Sequence, residues 1–151
     1  MSLDIISIDK TGCALLADLH RLCFAEAWSA DAFATLLDMP GAFAILASQA
    51  AEPAGFALAR SGGGECEIIT LGVVPPHRGK GAGDALLEAV AVRAKVRGVE
   101  DMMLEVASDN APAIALYQSN AFVSVGRRPG YYPDKDGSRV DAIIMRRTLG
   151  S

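Results

Sequence analysis

Long apolar runs are missing from this 151-residue sequence, whose short apolar stretches are interrupted by glycine, proline or charged residues. A membrane-spanning helix needs roughly 20 consecutive apolar residues, so we expect no membrane span and no membrane partner. The first residues, Met1 to Asp4, also lack the basic segment and apolar core of a signal peptide. We therefore expect a cytoplasmic protein.

Cysteine and histidine are scarce, and positive charge is not in excess. The three cysteines, Cys13, Cys23 and Cys66, are odd in number and far apart, and the only histidines are His20 and His77. Small buried apolar side chains explain such cysteines better than a disulfide or a metal site, so no metal is expected. The net charge of -4 argues against nucleic-acid binding and is compatible with a basic peptide partner.

The chain has no repeats, low-complexity tracts or long linkers, and we expect one domain over residues 1–151. Apolar spacing predicts helices over Ala14–Phe24, from the Ser29 cap to Leu37, from the glycine-rich turn to Gly98, and from the Asn110 cap to Asn120. It predicts strands over Asp4–Ile8, Ala42–Ser48, Gly55–Arg60, Glu65–Val74, Met102–Ala107, Ala121–Arg127 and Val140–Thr148, with a turn at Glu52–Pro53 and a loop around Tyr131–Pro133. This order predicts an α/β protein in which a mixed sheet carries helices on both faces.

The most informative stretch, Arg78-Gly-Lys-Gly-Ala-Gly83, joins a predicted strand to a predicted helix. Glycines let the backbone come close to a ligand, and unpaired N–H groups at a helix start attract an anion. Arg78 and Lys80 add positive charge. The pattern therefore favours a phosphate or pyrophosphate ligand over a merely flexible turn.

Two known phosphate-binding motifs do not fit this stretch. A P-loop needs serine or threonine after the Gly-Lys pair, where this chain has Gly81. A Rossmann fingerprint needs G-x-G-x-x-G in a first βαβ unit, whereas these glycines run G-x-G-x-G and come late in the chain. Both nucleotide-binding motifs are therefore excluded.

Glu105 and Tyr117 are the candidates for proton transfer. Glu105 is the only charged residue between Met102 and Ala107, so it either faces solvent or is held in a cleft for a task. Tyr117 lies on the next predicted helix near Ile114, where an aromatic at the edge of the core is the simpler interpretation. The residues alone leave both alternatives open.

The spacing Arg78-x-x-Gly81-x-Gly83 resembles the Q/R-x-x-G-x-G/A motif of the GNAT acetyltransferases, which holds the pyrophosphate of coenzyme A. The resemblance implies the GNAT fold, a central mixed and mostly antiparallel sheet flanked by about four helices, with acetyl-CoA as cosubstrate. It also implies a bulge in the central strand and an oxyanion-binding amide near Val73. The implied cofactor-binding residues are Leu71, Gly72, Val73, Arg78, Gly79, Lys80, Gly81, Ala82, Gly83 and Asp84.

A second run, Leu104-Glu-Val followed by Asn110 and then Ala-Leu-Tyr117, is similar to the RimI type of GNAT enzyme, the ribosomal-protein-alanine N-acetyltransferases. The similarity implies that Glu105 is the proton acceptor and Tyr117 the proton donor. It implies that Asn110 contacts coenzyme A.

The similarity to RimI-type enzymes extends to Phe24–Ser29 and to Tyr131–Met145. In those enzymes the corresponding loops border the groove that admits the acceptor peptide. The resemblance therefore implies peptide contacts by Trp28, Tyr131 and Tyr132.

The implied function is acetyl transfer from acetyl-CoA to the N-terminal α-amine of an alanine in a small-subunit ribosomal protein. An α-amine has a pKa of about 7.7–8.0 and lysine one of about 10.4, so deprotonating lysine costs roughly 3.5 kcal/mol more and favours an N-terminal acceptor. The alternatives are an acetyltransferase for a small amine (a polyamine, aminoglycoside or amino acid) and a coenzyme-A-binding subunit without catalysis. We expect a monomer or weak dimer, with Arg127 and Arg128 on a solvated face.

Overall fold

The computed structural model describes residues 3–134 and 136–150; the predicted domain 1–151 also includes Met1, Ser2, Lys135 and Ser151, which lie outside the described residues. The strands are β1 (Asp4–Ile8), β2 (Ala42–Gln49), β3 (Glu52–Gly62), β4 (Glu65–Val73), β5 (Asp101–Ala107), β6 (Val123–Pro133) and β7 (Arg139–Thr148). The α-helices are α1 (Cys13–Cys23), α2 (Ala30–Leu37), α3 (Ala82–Val96) and α4 (Ala111–Ser119). Over the described ranges, no helix combines the length and apolarity that crossing a bilayer requires.

The strands form one sheet in the order β1-β2-β3-β4-β5-β7-β6. Every neighbouring pair is antiparallel except β4 and β5. A parallel pair needs a crossover connection, and α3 supplies it because this helix lies between β4 and β5 in the chain. The predicted mixed, mostly antiparallel sheet with about four helices is confirmed.

Helices cover both faces of the central strands. On one face, α3 packs Leu86 into a core that includes Ala57 of β3. On the other face, α1 and α2 contribute Leu16 and Phe33 to a core that includes Phe56. Successive residues of a strand point to opposite faces, so β3 is buried on both sides and anchors the two cores.

The sheet opens between its two parallel strands. Residues 65–67 of β4 pair with residues 101–103 of β5, after which β4 continues against β3 and β5 against β7. A bulge lies at the start of this divergence, because Ile68 and Thr70 face consecutive residues of β3 and leave Ile69 as the extra residue. Bulges bend and twist a strand, which accounts for the gap at the C-terminal ends of β4 and β5.

The turn predicted at Glu52–Pro53 is wrong. Glu52 and Pro53 begin β3, and the turn is made by Ala50 and Ala51, whose φ angles are 53° and 66°. Proline is tolerated near the start of a strand and beside a bulge, and both conditions hold here because the β2–β3 register shifts next to Pro53.

The loop predicted around Tyr131–Pro133 is also wrong, because β6 continues to Pro133. Between Arg128 and Tyr132, three residues of β6 face a single residue of β7. Gly130 lies in this irregularity with a φ of 60°. Pro129 and Gly130 therefore lie at a bulge within β6 and do not end the strand.

Gly55 lies where β3 approaches the end of β4 too closely to admit a side chain. A Cβ at Gly55 would be 2.6 Å from the carbonyl oxygen of Gly72. We expect Gly55→Ala to lower the free energy of unfolding by about 1–3 kcal/mol, measured by urea denaturation. Gly62→Ala is the control, because Gly62 is in the same strand with open space around it, and its effect should stay within about 0.5 kcal/mol. Equal decreases in the free energy of unfolding of the two variants would contradict the close approach of β3 to β4 at Gly55.

Candidate active site

The glycine-rich turn lies at the open end of the gap between β4 and β5. Residues 78–81 connect a 3-10 turn at Pro75–His77 to α3, which begins at Ala82. Gly79 and Gly81 have φ angles of 75° and 88°, a conformation that side chains disfavour. Gly81 provides no side-chain cap for α3, so no capping side chain satisfies the N–H groups of the first helical turn, which are suited to donate to an anion.

A cavity of about 700 Å³ extends from this turn to the gap and to α4. Ten of the eleven residues predicted to bind cofactor line it: Leu71, Gly72, Val73, Arg78, Gly79, Gly81, Ala82, Gly83, Asp84 and Asn110. Lys80 is not among the lining residues. The lining further includes Cys23, Phe24, Pro112, Ala113, Leu116 and Tyr117, of which only Tyr117 was predicted. Across residues 3–134 and 136–150, no group of three or more His, Cys, Asp or Glu side chains is arranged to hold a metal ion.

The C-terminal end of α1 forms one wall of the cavity. Cys23 packs so closely on β4 that a Cβ at Gly72 would lie 2.9 Å from its Sγ. Burial raises the pKa of the Cys23 thiol, although the nearby Arg78 lowers it. The Nε of Arg78 donates a hydrogen bond to the carbonyl oxygen of Val73 at 2.9 Å. No sequence motif marks Cys23, because only the packing of α1 on the sheet brings it here, whereas Phe24 begins the segment Phe24–Ser29 that resembles RimI-type enzymes.

Tyr117 reaches the cavity from α4. Asn110 caps this helix, with its Oδ1 accepting a hydrogen bond from the amide of Ala113 at 3.3 Å. The ring of Tyr117 packs edge-on against Phe122, and 8% of the residue is exposed. Burial, with a smaller contribution from Tyr132, raises the pKa of Tyr117 to about 12. The phenol is therefore protonated, and able to donate, throughout the neutral range.

Glu105 lies on the face of β5 that points away from α3. Its neighbours Leu104 and Val106 are buried in the α3 core, so strand alternation turns Glu105 to the opposite face, where 21% of its side chain is exposed. The Nη2 of Arg128 lies 3.0 Å from its Oε1. Glu105 is outside the cavity lining, and its carboxylate faces β6.

Tyr132 connects the two candidate catalytic residues. Burial raises the pKa of Tyr132, and the charge of Glu105 raises it further. Tyr132 in turn contributes to the raised pKa of Tyr117. Tyr132 therefore lies within electrostatic range of both Glu105 and Tyr117, while the catalytic and binding roles of the three residues stay predictions.

The other two residues predicted to contact a peptide have different surroundings. The Trp28 ring stacks on the buried His20 with centroids 4.8 Å apart, and the Trp28 amide donates to His20 Nδ1 at 3.1 Å. Burial lowers the pKa of His20, which favours the neutral, accepting ring. Tyr131 is 46% exposed, with its ring 5.0 Å from that of Tyr132. Trp28 thus packs into the core under α1 and α2, whereas Tyr131 lies on the surface.

Arg127 and Arg128 are exposed, as expected for a solvated face, and both also form ion pairs. Both guanidinium groups are about half exposed. Arg127 Nη1 lies 3.3 Å from Asp141 Oδ2, whereas Arg128 contacts Glu105. Neighbouring residues of a strand face opposite ways, so the two arginines meet different carboxylates.

Comparison with known proteins agrees with this architecture. Residues 13–122 match the acetyltransferase (GNAT) family. The ribosomal protein bS18-alanine N-acetyltransferase of Escherichia coli strain K12 is 41% identical over 98 residues, which is 65% of this chain and 66% of that protein. The enzyme of the same name from Haemophilus ducreyi is 37% identical over 81 residues, 54% of this chain and 56% of that protein. These alignments therefore span two thirds or less of the relatives' length.

A solved structure extends the similarity to nearly the whole chain. The crystal structure of the ribosomal-protein-S18-alanine N-acetyltransferase from Escherichia coli has a TM-score of 0.91 and 32% sequence identity, and the match covers 99% of this chain and 96% of that one. The RimI-type resemblance predicted from the sequence is confirmed. The chain belongs to the acetyltransferase (GNAT) family.

Proposed function

We propose that the protein transfers an acetyl group from acetyl-CoA to the N-terminal α-amine of alanine in a small-subunit ribosomal protein. The observation that carries the proposal is a single cavity lined both by the glycine-rich turn and by Tyr117. The similarity to a ribosomal-protein-S18-alanine N-acetyltransferase over 99% of the chain supports this acceptor.

The turn and the end of β4 are the proposed binding site for acetyl-CoA, which supplies the acetyl thioester. The N–H groups of residues 79–84 and the guanidinium of Arg78 are suited to its diphosphate. Residues 71–73 line the gap without pairing to β5, so their backbone groups can bind the amides of the pantetheine arm. The bulge lies at Ile69, and we assign the oxyanion-binding amide to the vicinity of Val73.

Glu105 is the proposed general base. Its carboxylate takes the proton that the α-amine must lose to attack the thioester, directly or through a water. An α-amine has a pKa of about 7.7–8.0, so part of it is already neutral near pH 8. A lysine would cost roughly 3.5 kcal/mol more to deprotonate, which is why a site with one carboxylate base suits an N-terminus.

Tyr117 is the proposed donor to the departing sulfur. A thiol has a pKa near 8.5, so complete proton transfer from a phenol of pKa about 12 is uphill by roughly 5 kcal/mol. The cost would be about 2 kcal/mol for an unperturbed phenol of pKa near 10. A buried Tyr117 is therefore suited to stabilise the developing thiolate by donating a hydrogen bond to the sulfur. The proton itself moves to the sulfur only after the bond between carbon and sulfur has largely broken.

The acceptor is tested with acetyl-CoA and a lysate from cells that lack this activity. After incubation with the purified protein, acetylated N-termini are mapped by mass spectrometry. We expect acetylation of an N-terminal alanine of one small-subunit ribosomal protein, and of a synthetic peptide with the same first residues. Modification confined to polyamines, aminoglycosides or amino acids would contradict the peptide acceptor and favour a small-amine acetyltransferase.

The base is tested by Glu105→Gln, which preserves the shape of the side chain and removes its basicity. We expect kcat to fall by about 10²–10⁴ with little change in the Kd for acetyl-CoA. Glu67→Gln is the matched control, because Glu67 is an exposed carboxylate on the neighbouring strand β4 and pairs with Met103. Normal turnover by Glu105→Gln would exclude the assigned role.

The donor is tested by Tyr117→Phe, which keeps the ring that packs on Phe122 and removes the hydroxyl. We expect kcat to fall by about 10². In ultraviolet titration, the variant should lose a phenol transition with a midpoint of about 12. Because the raised pKa keeps the phenol protonated, Tyr117 should cause no fall in wild-type kcat below about pH 10. A fall near neutral pH that disappears in the variant would contradict the buried environment.

A further inference from the structure

Arg128 is the cation that faces the proposed base. Its Nη2 lies 3.0 Å from Glu105 Oε1, and its Cζ is 5.3 Å from the centroid of the Tyr131 ring. The second distance is within the range of a cation–π contact. Arg128 pairs across the sheet with the small, fully buried Ala142 of β7. A small residue there leaves room for the arginine to reach over β7 to Glu105 on β5.

The bulge in β6 fixes the backbone next to Arg128. The amide of Gly130 donates to Asp141 Oδ1 at 2.8 Å, and the carbonyl oxygen of Gly130 accepts from Arg139 Nε at 2.5 Å. The other carboxylate oxygen of Asp141 pairs with Arg127. Arg127 and Arg139 thus form contacts that stabilise the bulge. Arg128 forms its ion pair with the proposed base instead.

Among the described residues, Arg128 is the charged group that forms an ion pair with the proposed base. Strand alternation places Asp101 of β5, Arg146 of β7, and Arg128 and Tyr132 of β6 on the same face as Glu105. Glu65 and Glu67 of β4 share this face, but they pair with Asp101 and Met103 at the N-terminal end of β5, away from Glu105. Tyr131 lies beside Arg128, whereas Tyr117 of α4 packs in the α3 core. The raised pKa values of Tyr117 and Tyr132 keep these two phenols neutral. Arg146 lies further along β7, where its Nε contacts Met103 Sδ at 3.3 Å. The carboxylate of Glu105 is therefore balanced by Arg128, and the pair carries no net negative charge that would attract an ammonium group.

We propose that Arg128 is a specificity-determining residue that repels the protonated form of the acceptor amine and so selects amines that are neutral near pH 8. The inference rests on the proposed function, because it requires the acceptor amine to lie beside Glu105. A like charge nearby disfavours the charged form of an amine. Arg128 thus shifts a bound α-amine, whose pKa is about 7.7–8.0, towards its reactive neutral form, whereas a lysine of pKa about 10.4 stays protonated and is repelled.

The first test measures kcat as a function of pH with the N-terminal alanine peptide. In the wild type, kcat should rise with pH as the acceptor amine loses its proton. In Arg128→Gln we expect this rising limb of the pH profile to move by about one pH unit towards alkaline pH, so kcat falls up to about tenfold near neutrality and recovers as the pH is raised. Arg128→Lys keeps a cation and should keep the limb close to its wild-type position. Arg127→Gln removes the same charge from the adjacent residue, which pairs with Asp141, and should leave the limb in place. A purely structural role of Arg128 would lower kcat at every pH without moving the limb.

The second test needs no turnover. Calorimetry with coenzyme A present compares a peptide beginning with N,N,N-trimethylalanine, which is permanently charged, with the same peptide lacking its amino group. In Arg128→Gln the ratio of the two Kd values should shift towards the charged peptide by about tenfold, the equivalent of one pKa unit. Arg127→Gln should show the wild-type ratio.

The outcomes separate the two proposals. A limb and a Kd ratio that are unchanged in Arg128→Gln overturn the role of Arg128 and leave the proposed function standing. A fully active Glu105→Gln enzyme overturns the proposed base instead. The Kd ratio then still tests the proposed role of Arg128, because it depends on the electrostatic potential at the amine and not on the rate of acetyl transfer.

Discussion

The divergence of β4 and β5 is the constraint on which the site depends. These parallel strands share only the pairs between residues 65–67 and 101–103 before the bulge at Ile69 turns β4 away. If the pairing of β4 with β5 had continued, the two hydrogen-bonded strands would close the gap that the cavity occupies. The crossover helix α3 leaves β4 at this point, so its N-terminus opens onto the same gap. One irregularity in one strand therefore places the N-terminus of a helix beside backbone of β4 that is not paired to β5.

Such a gap needs support from the elements at its sides. Gly83 in the first turn of α3 lets α4 come close, because a Cβ there would lie 2.9 Å from Leu116 Cδ2. Asn120, at the end of α4, donates from Nδ2 to Asp84 Oδ1 at 2.7 Å. These contacts tie the helix that carries Tyr117 to the glycine-rich turn. The position of the phenol relative to the glycine-rich turn is thus set by helix packing rather than by a flexible loop.

The predictable features of the fold and site are those with a local physical cause. Positive φ at Gly81, capping by Asn110 and the alternation that isolates Glu105 each follow from a few neighbouring residues, and each is present in the structure. Cys23 could not be predicted, since it reaches the cavity only through the packing of α1 on the sheet. The loop predicted around Tyr131–Pro133 lies next to a real break in the β6–β7 pairing, but the sequence did not show that the strand resumes at Tyr132.

The proposed base and donor lie in opposite environments, and the difference matches the proton that each would handle. Glu105 is partly exposed and paired with an arginine that is 54% exposed, so a proton taken from the amine has a route to water. Tyr117 is 8% exposed, and its raised pKa makes ionisation costly. A phenol that resists ionisation keeps its proton while the amine is being deprotonated nearby, and it can still stabilise the departing thiolate by donating a hydrogen bond to the sulfur. The two residues can therefore work at one pH without exchanging roles, because a phenol is intrinsically a much weaker acid than a carboxylic acid and burial, which the sequence pattern does not specify, raises the pKa of Tyr117 further.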